Sequence, residues 1–257
     1  MPESGDRDCD YGIPIPGDEL PPDRWAITAL KQLPELGPLD IETIFGRKAP
    51  LAVELGCGNA RWTISSALSR PGFDHLALDV LPVGIRYATR RANRRGLANV
   101  RIAVKDAQTF VRDYLPAGRT REIHVYHPQP YHNPREARLR LIQPTFLADV
   151  HRALEPDGLF VVQTDSPEYW QYIRQAVSVL FTFSEHPDPW PDAPHGRTRR
   201  EIYARLRGLR VFRGIGERSA DSPDPERLAA WIESIPEPTF QTKPRRGTSR
   251  HRRTPGR

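Results

Sequence analysis

The stretch Leu51 to Trp62, LAVELGCGNARW, constrains what this chain can fold into more than any other. An apolar run, Leu51 to Val53, ends in Glu54 and Leu55, passes through Gly56, Cys57 and Gly58, and enters a segment with helical spacing. Strand, glycine turn and helix in succession bring backbone N–H groups up to a ligand in an α/β domain. Glycine allows close backbone approach and φ values that other residues resist. A dinucleotide turn would need a third glycine where Arg61 stands, and bulk there argues against a pyrophosphate on the helix start.

Strand and helix patterns then alternate. The spacing predicts helices over Arg61–Ser69, Val83–Arg95, Ala107–Leu115, Pro144–Leu154 and Ser166–Leu180. Strands are predicted at Asp74–Val80, Asn99–Val104, Glu122–His127 and Leu159–Gln163, with a late strand returning to the sheet edge from Arg200–Leu206. Such units imply one mostly parallel sheet with helices on both faces and an antiparallel late strand. WAITALKQL and DIETIFG, within Trp25–Gly46, have helical spacing and would cover one sheet edge. Residues 1–24, rich in Asp, Pro and Gly, read as a mobile leader, and 25–216 as the single domain. PERLAAWIESI, within 217–240, suggests a short helix, and 241–257 a disordered tail.

The formal charge is +6, yet seven Lys/Arg without an acid fall between Lys243 and Arg257, so the remainder carries one net negative charge. The two cysteines, Cys9 and Cys57, form neither a disulfide framework nor a metal spacing. The acidic N-terminus lacks the apolar core of a signal peptide, and no apolar run reaches membrane-spanning length. A cytoplasmic protein is expected, with no membrane or metal partner, and acting as a monomer. Arg86, Arg90, Arg91, Arg94 and Arg95 crowd one helix, with Arg86, Arg90 and Arg94 on one face and no acid from Val80 to Ile102. That pattern suits phosphate contacts, although a solvated helix face is the plainer reading.

Acids also close successive strands: Glu54 in E-L-G-x-G, Asp79 after HLAL, Asp106 after NVRIAV. This constellation resembles the S-adenosylmethionine-dependent methyltransferases of class I, a Rossmann-like fold. The resemblance implies that Glu54 holds the ammonium end of the cofactor beside Gly56 and Gly58, Asp79 its ribose, and Asp106 with Ala107 its adenine.

After the fourth strand comes HVYHPQPYHNPREARLRLIQPTF. It resembles the bacterial tRNA (guanine-N7)-methyltransferases, whose fourth strand runs into a Pro-Asp-Pro-Trp turn followed by a His and a basic cluster. Here the turn is Pro128, Gln129, Pro130, Tyr131, then His132, Arg135, Arg138, Arg140 and Gln143. Two more landmarks follow in order: Thr164–Asp165 with Tyr169, and T-x-x-E as Thr198 and Glu201. The resemblance implies S-adenosylmethionine as cofactor, tRNA as partner, and methyl transfer to guanine N7. It implies Asp165 and Glu201 at the guanine edge, with Gln129 in the catalytic turn. Thr198 would position the methionine end or Glu201, while His132, Arg135, Arg138, Arg90 and Arg94 would hold RNA. The departures are Gln129 for the family's aspartate, Tyr131 for its Trp, and Asn133 and Glu136 at basic or imidazole positions. They leave open a different acceptor, or a non-catalytic tRNA-binding protein. A literal Pro-Asp-Pro-Trp at Pro187–Trp190 follows the wrong segment, so no role passes to Asp188.

Overall fold

A computed structural model describes residues 8–35, 37–220 and 223–242. Its first strands, β1 (Cys9–Asp10) and β2 (Ile13–Pro14), form a small hairpin. Helix α1 (Ile41–Phe45) precedes the alternating core: β3 (Leu51–Leu55), α2 (Arg61–Ser69), β4 (Asp74–Asp79), α3 (Pro82–Arg94), β5 (Val100–Val104), α4 (Ala107–Tyr114), β6 (Thr120–Tyr126). There follow α5 (Pro144–Ala153), β7 (Leu154–Thr164), α6 (Pro167–Leu180), β8 (Thr182–Glu185), α7 (Arg199–Leu206), β9 (Phe212–Glu217) and α8 (Pro225–Ser234). The sheet order is β5-β4-β3-β6-β7-β9-β8. Strands β3 to β7 are parallel, whereas β9 runs antiparallel to β7 and β8 antiparallel to β9.

The two sheet faces are filled differently. Leu51, Val53, Leu55, Leu76, Leu78, Ile123 and Val125 meet Phe110, Phe146, Val150 and Ile173 from α4, α5 and α6. On the other face Ala77 meets Ile64 and the small residues Ala60, Ala67, Ala88 and Ala92, which let α2 and α3 lie close. A parallel sheet covered on both sides needs apolar strands throughout, and β3 is buried at all five positions.

Three expectations need correction. Residues 8–24 are not a loose leader: Ile15 is buried with Cys57 and Ile64, and Asp8 pairs with Arg91 and Arg95. Trp25–Leu33 is not a helix. Its backbone pairs with β5 through Ala29 and Ile102, because Leu30 N–H donates to Ile102 O and Ile102 N–H donates to Thr28 O across the edge. Covering an open strand edge outweighs weak helical spacing. Arg199–Leu206 is a helix rather than a strand, started by Thr198, whose hydroxyl accepts from Glu201 N–H at 3.1 Å. Thr-x-x-Glu is the sequence pattern of a capping box, a helix signal in its own right, although here the Glu201 carboxylate accepts from Arg197 N–H. The expected antiparallel edge is present, formed by β8 and β9, and the helix expected within 217–240 is α8, which packs on α5 and α6. The tail beyond Thr242 lies outside the described residues.

Candidate functional site

The carboxyl ends of the parallel strands gather at one edge, where ligands bind in open α/β sheets. Gly56 and Gly58 take φ of 76° and 54°, and a Cβ on either would point into open space. The turn is pinned to β4: Gly56 and Cys57 N–H both donate to Leu78 O, and Gly58 N–H donates to the Asp79 carboxylate at 2.9 Å. A cleft of about 830 Å³ opens beside it, lined by Gly56, Gly58, Tyr126, Thr198 and Arg200 and flanked by the N-terminal hairpin. Asp106 caps α4 by accepting from Thr109 N–H at 2.8 Å, with Ala107 next to it, outside that cleft at the β5 end.

Glu54 is not at the cleft. Its carboxyl is 1% exposed and bonds to the Thr63 N–H and hydroxyl in the first turn of α2. Burial pushes it up to about 8, against the lowering effect of the Thr63 bonds. In this structure its hydrogen bonds brace the first turn of α2. Arg61, whose bulk fills the third glycine slot, is buried and donates to Ile13 O and Pro14 O, so it anchors the hairpin.

Across the cleft, the ends of β6 and β7 hold a polar cluster. His127, at φ 53°, faces Asp165 through Nδ1 at 3.2 Å, and Arg200 donates to the other Asp165 oxygen at 2.8 Å. Positive φ at a bulky residue is uncommon and recurs at functional sites. Gln163 joins the parts: its amide nitrogen lies 2.9 Å from His127 Nε2 and 3.1 Å from Glu201, while its oxygen accepts from Trp190 Nε1–H at 2.7 Å. Asp165 does not cap α6. Ser166 does, accepting from Tyr169 N–H, and Thr164 accepts from Ser166 N–H.

Glu201 lies behind this cluster. It is 0% exposed, paired with Arg213 at 2.5 Å and accepting from Arg197 N–H and Gln163. Its carboxylate cannot reach a purine without breaking that buried pair. Thr198 caps α7 beside it and lines the cleft. Trp190 of the literal Pro-Asp-Pro-Trp is buried against Gln163 and beneath Arg197, whereas Asp188 is exposed.

The turn after β6 carries Gln129, exposed between two prolines, and Tyr131 at φ 44°. Buried Arg140 clamps it by donating to Pro130 O and Tyr131 O, and lies over the Phe240 ring at 3.8 Å. His132 bonds Thr242 at 2.6 Å, while Arg135 and Arg138 project from a 3-10 turn, Pro134–Leu139, with no ion pair among the described residues. On α3 the basic stripe is partly consumed. Arg91 and Arg95 pair with Asp8 and Arg94 with Glu19, acids supplied from the N-terminal segment. Only Arg86 and Arg90 of the five stay exposed and without an ion pair among the described residues.

His127, Gln163, Arg200, Arg140 and Trp190 were not foreseen as site residues. His127 sat in view as the last residue before the turn; the others join only through tertiary contacts. Among the described residues no group of three or more His, Cys, Asp or Glu could hold a metal ion, and no helix is long and apolar enough to cross a membrane.

A family model for a putative methyltransferase matches residues 48–202. A tRNA (guanine-N(7)-)-methyltransferase from Arthrobacter sp. is 37% identical over 61% of this chain, and the match spans 50% of that protein's length. One from Paracidovorax citrulli is 33% identical over 70% of this chain and 71% of its own. Among solved structures, the 16S rRNA methyltransferase KamB matches with a TM-score of 0.56 at 16% identity, over 75% of this chain and 98% of that one. A 16S rRNA (adenine(1408)-N(1))-methyltransferase from Catenulisporales acidiphilia matches with a TM-score of 0.51 at 15% identity, over 76% and 96%. These two establish the methyltransferase fold. The family model and the sequence relatives make this chain a member of the tRNA (guanine-N(7)-)-methyltransferase family.

Proposed function

We propose that this chain transfers the methyl group of S-adenosylmethionine to N7 of a guanine in tRNA. One observation carries the reading: Arg200 lines the same cleft as Gly56 and Gly58 and also holds Asp165. Arg200 thus joins the wall of a cofactor-type glycine-turn cleft to a buried carboxylate.

The residues present fit the cofactor. Gly56 and Gly58 face open space, so backbone can lie against its methionine end. Asp79 accepts two backbone N–H bonds, from Gly58 and Leu81, and its oxygens keep lone pairs for ribose hydroxyls. Asp106 and Ala107 would hold the adenine, and Thr198 the methionine end. S-adenosylmethionine supplies the methyl group from its sulfonium.

Guanine N7 has its own lone pair, so neither a base nor a metal is needed to expose it. The protein's work is alignment in a dry cleft and stabilisation of the positive charge that appears on the purine. Asp165 accepts from guanine N1–H and N2–H₂, a donor edge that adenine lacks, and its charge opposes the one developing on the ring. His127 and Gln163 keep that carboxylate in place. Glu201 acts behind them, fixing the start of α7. Gln129 accepts from the guanine edge or a cofactor donor at the rim. Arg135, Arg138, His132, Arg86 and Arg90 hold the RNA backbone, which positions the substrate without reading the base. The tRNA substrate and the free thiols of Cys9 and Cys57 favour the cytoplasm.

The test is mass spectrometry of nucleosides after incubating the protein with unmodified tRNA and S-adenosylmethionine. The expected product is 7-methylguanosine. Tight cofactor binding without it would point to another acceptor, and no cofactor binding to a non-catalytic RNA-binding protein.

A further inference from the structure

The tip of the N-terminal hairpin is oddly made. Asp10 pairs with Ile13, so Tyr11 and Gly12 are its two-residue turn, with φ of 52° and 82°. A turn with both central residues at positive φ is normally Asn-Gly, because Asn tolerates that conformation and a bulky side chain does not. Tyrosine here works against the local backbone, a mismatch that concentrates at functional positions.

The hairpin is nonetheless firmly seated. Asp10 accepts from Asn59 of the glycine turn at 2.8 Å and is paired with Arg61, while Asp8 pairs with Arg91 at 2.6 Å. This seating delivers the Tyr11 ring, 48% exposed, to the mouth of the cleft opposite α7. There it meets Tyr203 at 5.8 Å between ring centroids, tilted by 43°. The Arg199 guanidinium lies 5.3 Å from the Tyr11 ring, and Arg200 and Arg207 lie 5.3 Å and 5.5 Å from Tyr203. Arg199 and Arg207 are exposed and have no ion pair among the described residues.

We infer that Tyr11 and Tyr203 form a stacking platform for a tRNA nucleotide adjacent to the one methylated, with Arg199 and Arg207 on its phosphates. The inference rests on the proposed function. Aromatic faces interleaved with free arginines are how proteins grip single-stranded nucleic acid without reading sequence. A guanine brought to Asp165 must leave its stack, so its neighbours lose a partner that these rings replace. Arg200 fixes the location, since it touches both the Tyr203 ring and Asp165. The cofactor is the weaker candidate occupant: its adenine belongs at the β5 end, beside Asp106, beyond the glycine turn.

The experiment uses the full chain with Tyr11→Asn and Tyr11→Phe. Asparagine suits the turn, so the hairpin is retained while the ring is lost; phenylalanine keeps the ring. Unmodified tRNA binding is read by fluorescence anisotropy, and S-adenosylmethionine binding by calorimetry. Tyr11→Asn is expected to weaken tRNA binding about tenfold, with cofactor affinity within about twofold of wild type and Tyr11→Phe close to wild type. Unchanged tRNA affinity in Tyr11→Asn overturns the inference, as does a loss confined to cofactor binding. Wild-type protein that binds tRNA but makes no 7-methylguanosine would instead sink the proposed function, and the anisotropy comparison would still decide the platform.

Discussion

The Arg213 guanidinium lies 2.5 Å from the Glu201 carboxylate, and both side chains are closed to solvent, at 4% and 0% exposure. Arg213 belongs to β9 and Glu201 to the first turn of α7, so the pair ties the antiparallel edge of the sheet to the cleft wall. Gln163 carries the tie onward to His127 and Asp165. The Thr-x-x-Glu landmark therefore works as scaffolding: Thr198 starts the helix and Glu201 locks it against the sheet.

Removing one partner of such a pair leaves a buried charge without compensation, which typically costs about 3–5 kcal/mol. Arg213→Met should lower stability by that order in urea denaturation. Adding Glu201→Gln should recover part of the loss, because the stranded charge is then gone. A single variant within about 0.5 kcal/mol of wild type would show that the pair contributes little to the fold.

Glu54 makes stability depend on pH. Burial lifts its folded-state value from the ordinary 4.5 to about 8, so between those values the folded chain holds a proton that the unfolded chain has released. The stability linked to this proton is complete below about pH 4.5 and falls as pH rises, until the folded group also ionises near 8. Glu54→Gln keeps the shape and an acceptor for Thr63 but does not titrate. Its stability relative to wild type should rise between pH 5 and 8, measured by urea titration across that range. An unchanged difference would mean that Glu54 is ionised in the fold.

The α3 arginines divide into two sets. Arg86 and Arg90 are exposed and lack ion pairs among the described residues, whereas Arg94 is engaged by Glu19 and lies 5.5 Å from the Trp25 ring. Arg86→Ala with Arg90→Ala should weaken tRNA binding several-fold and reduce the salt dependence by about two charges. Arg94→Ala should act mainly on docking of the segment around Glu19. Equal effects of the two changes on tRNA affinity would contradict this division.

Much of the fold was legible because its signals are local. Apolar runs ending in Gly56, Asp79 and Asp106 mark strands whose ends carry ligand chemistry, and the helices between them follow spacing and proline placement. What escaped was decided by contacts distant in sequence. The leader looked disordered on composition, yet Asp8 and Asp10 find Arg91 and Arg61 some 50 to 80 positions away. The same pairing makes the α3 stripe look more basic in sequence than it is in space. Glu201 looked like a base reader because its partner, Arg213, lies on another element; its capping signature with Thr198 was readable and points to a structural role. His127 and Gln163 become site residues only when β6 and β7 align side by side.

Gln129 stands where the family's turn carries aspartate, and the structure leaves its side chain exposed between Pro128 and Pro130. Arg140 fixes the carbonyls that follow, so a change at position 129 should not disturb the turn itself. A Gln oxygen still accepts a hydrogen bond, but a neutral bond is worth ~0.5–1.5 kcal/mol against ~1.5–3 for one to a charged group. The difference of about 1 kcal/mol corresponds to several-fold in rate. Were the aspartate the main stabiliser of charge on the purine, its loss would cost on the order of 10²–10³. Asp165 remains as a buried carboxylate beside the cleft, now without help from Glu201, and this favours the smaller figure. Gln129→Asp should raise the single-turnover rate of guanine N7 methylation several-fold with little change in cofactor affinity. The shorter side chain limits the gain. No gain, together with a wild type that binds cofactor firmly yet makes no 7-methylguanosine, would show that the turn has been remodelled for a different acceptor.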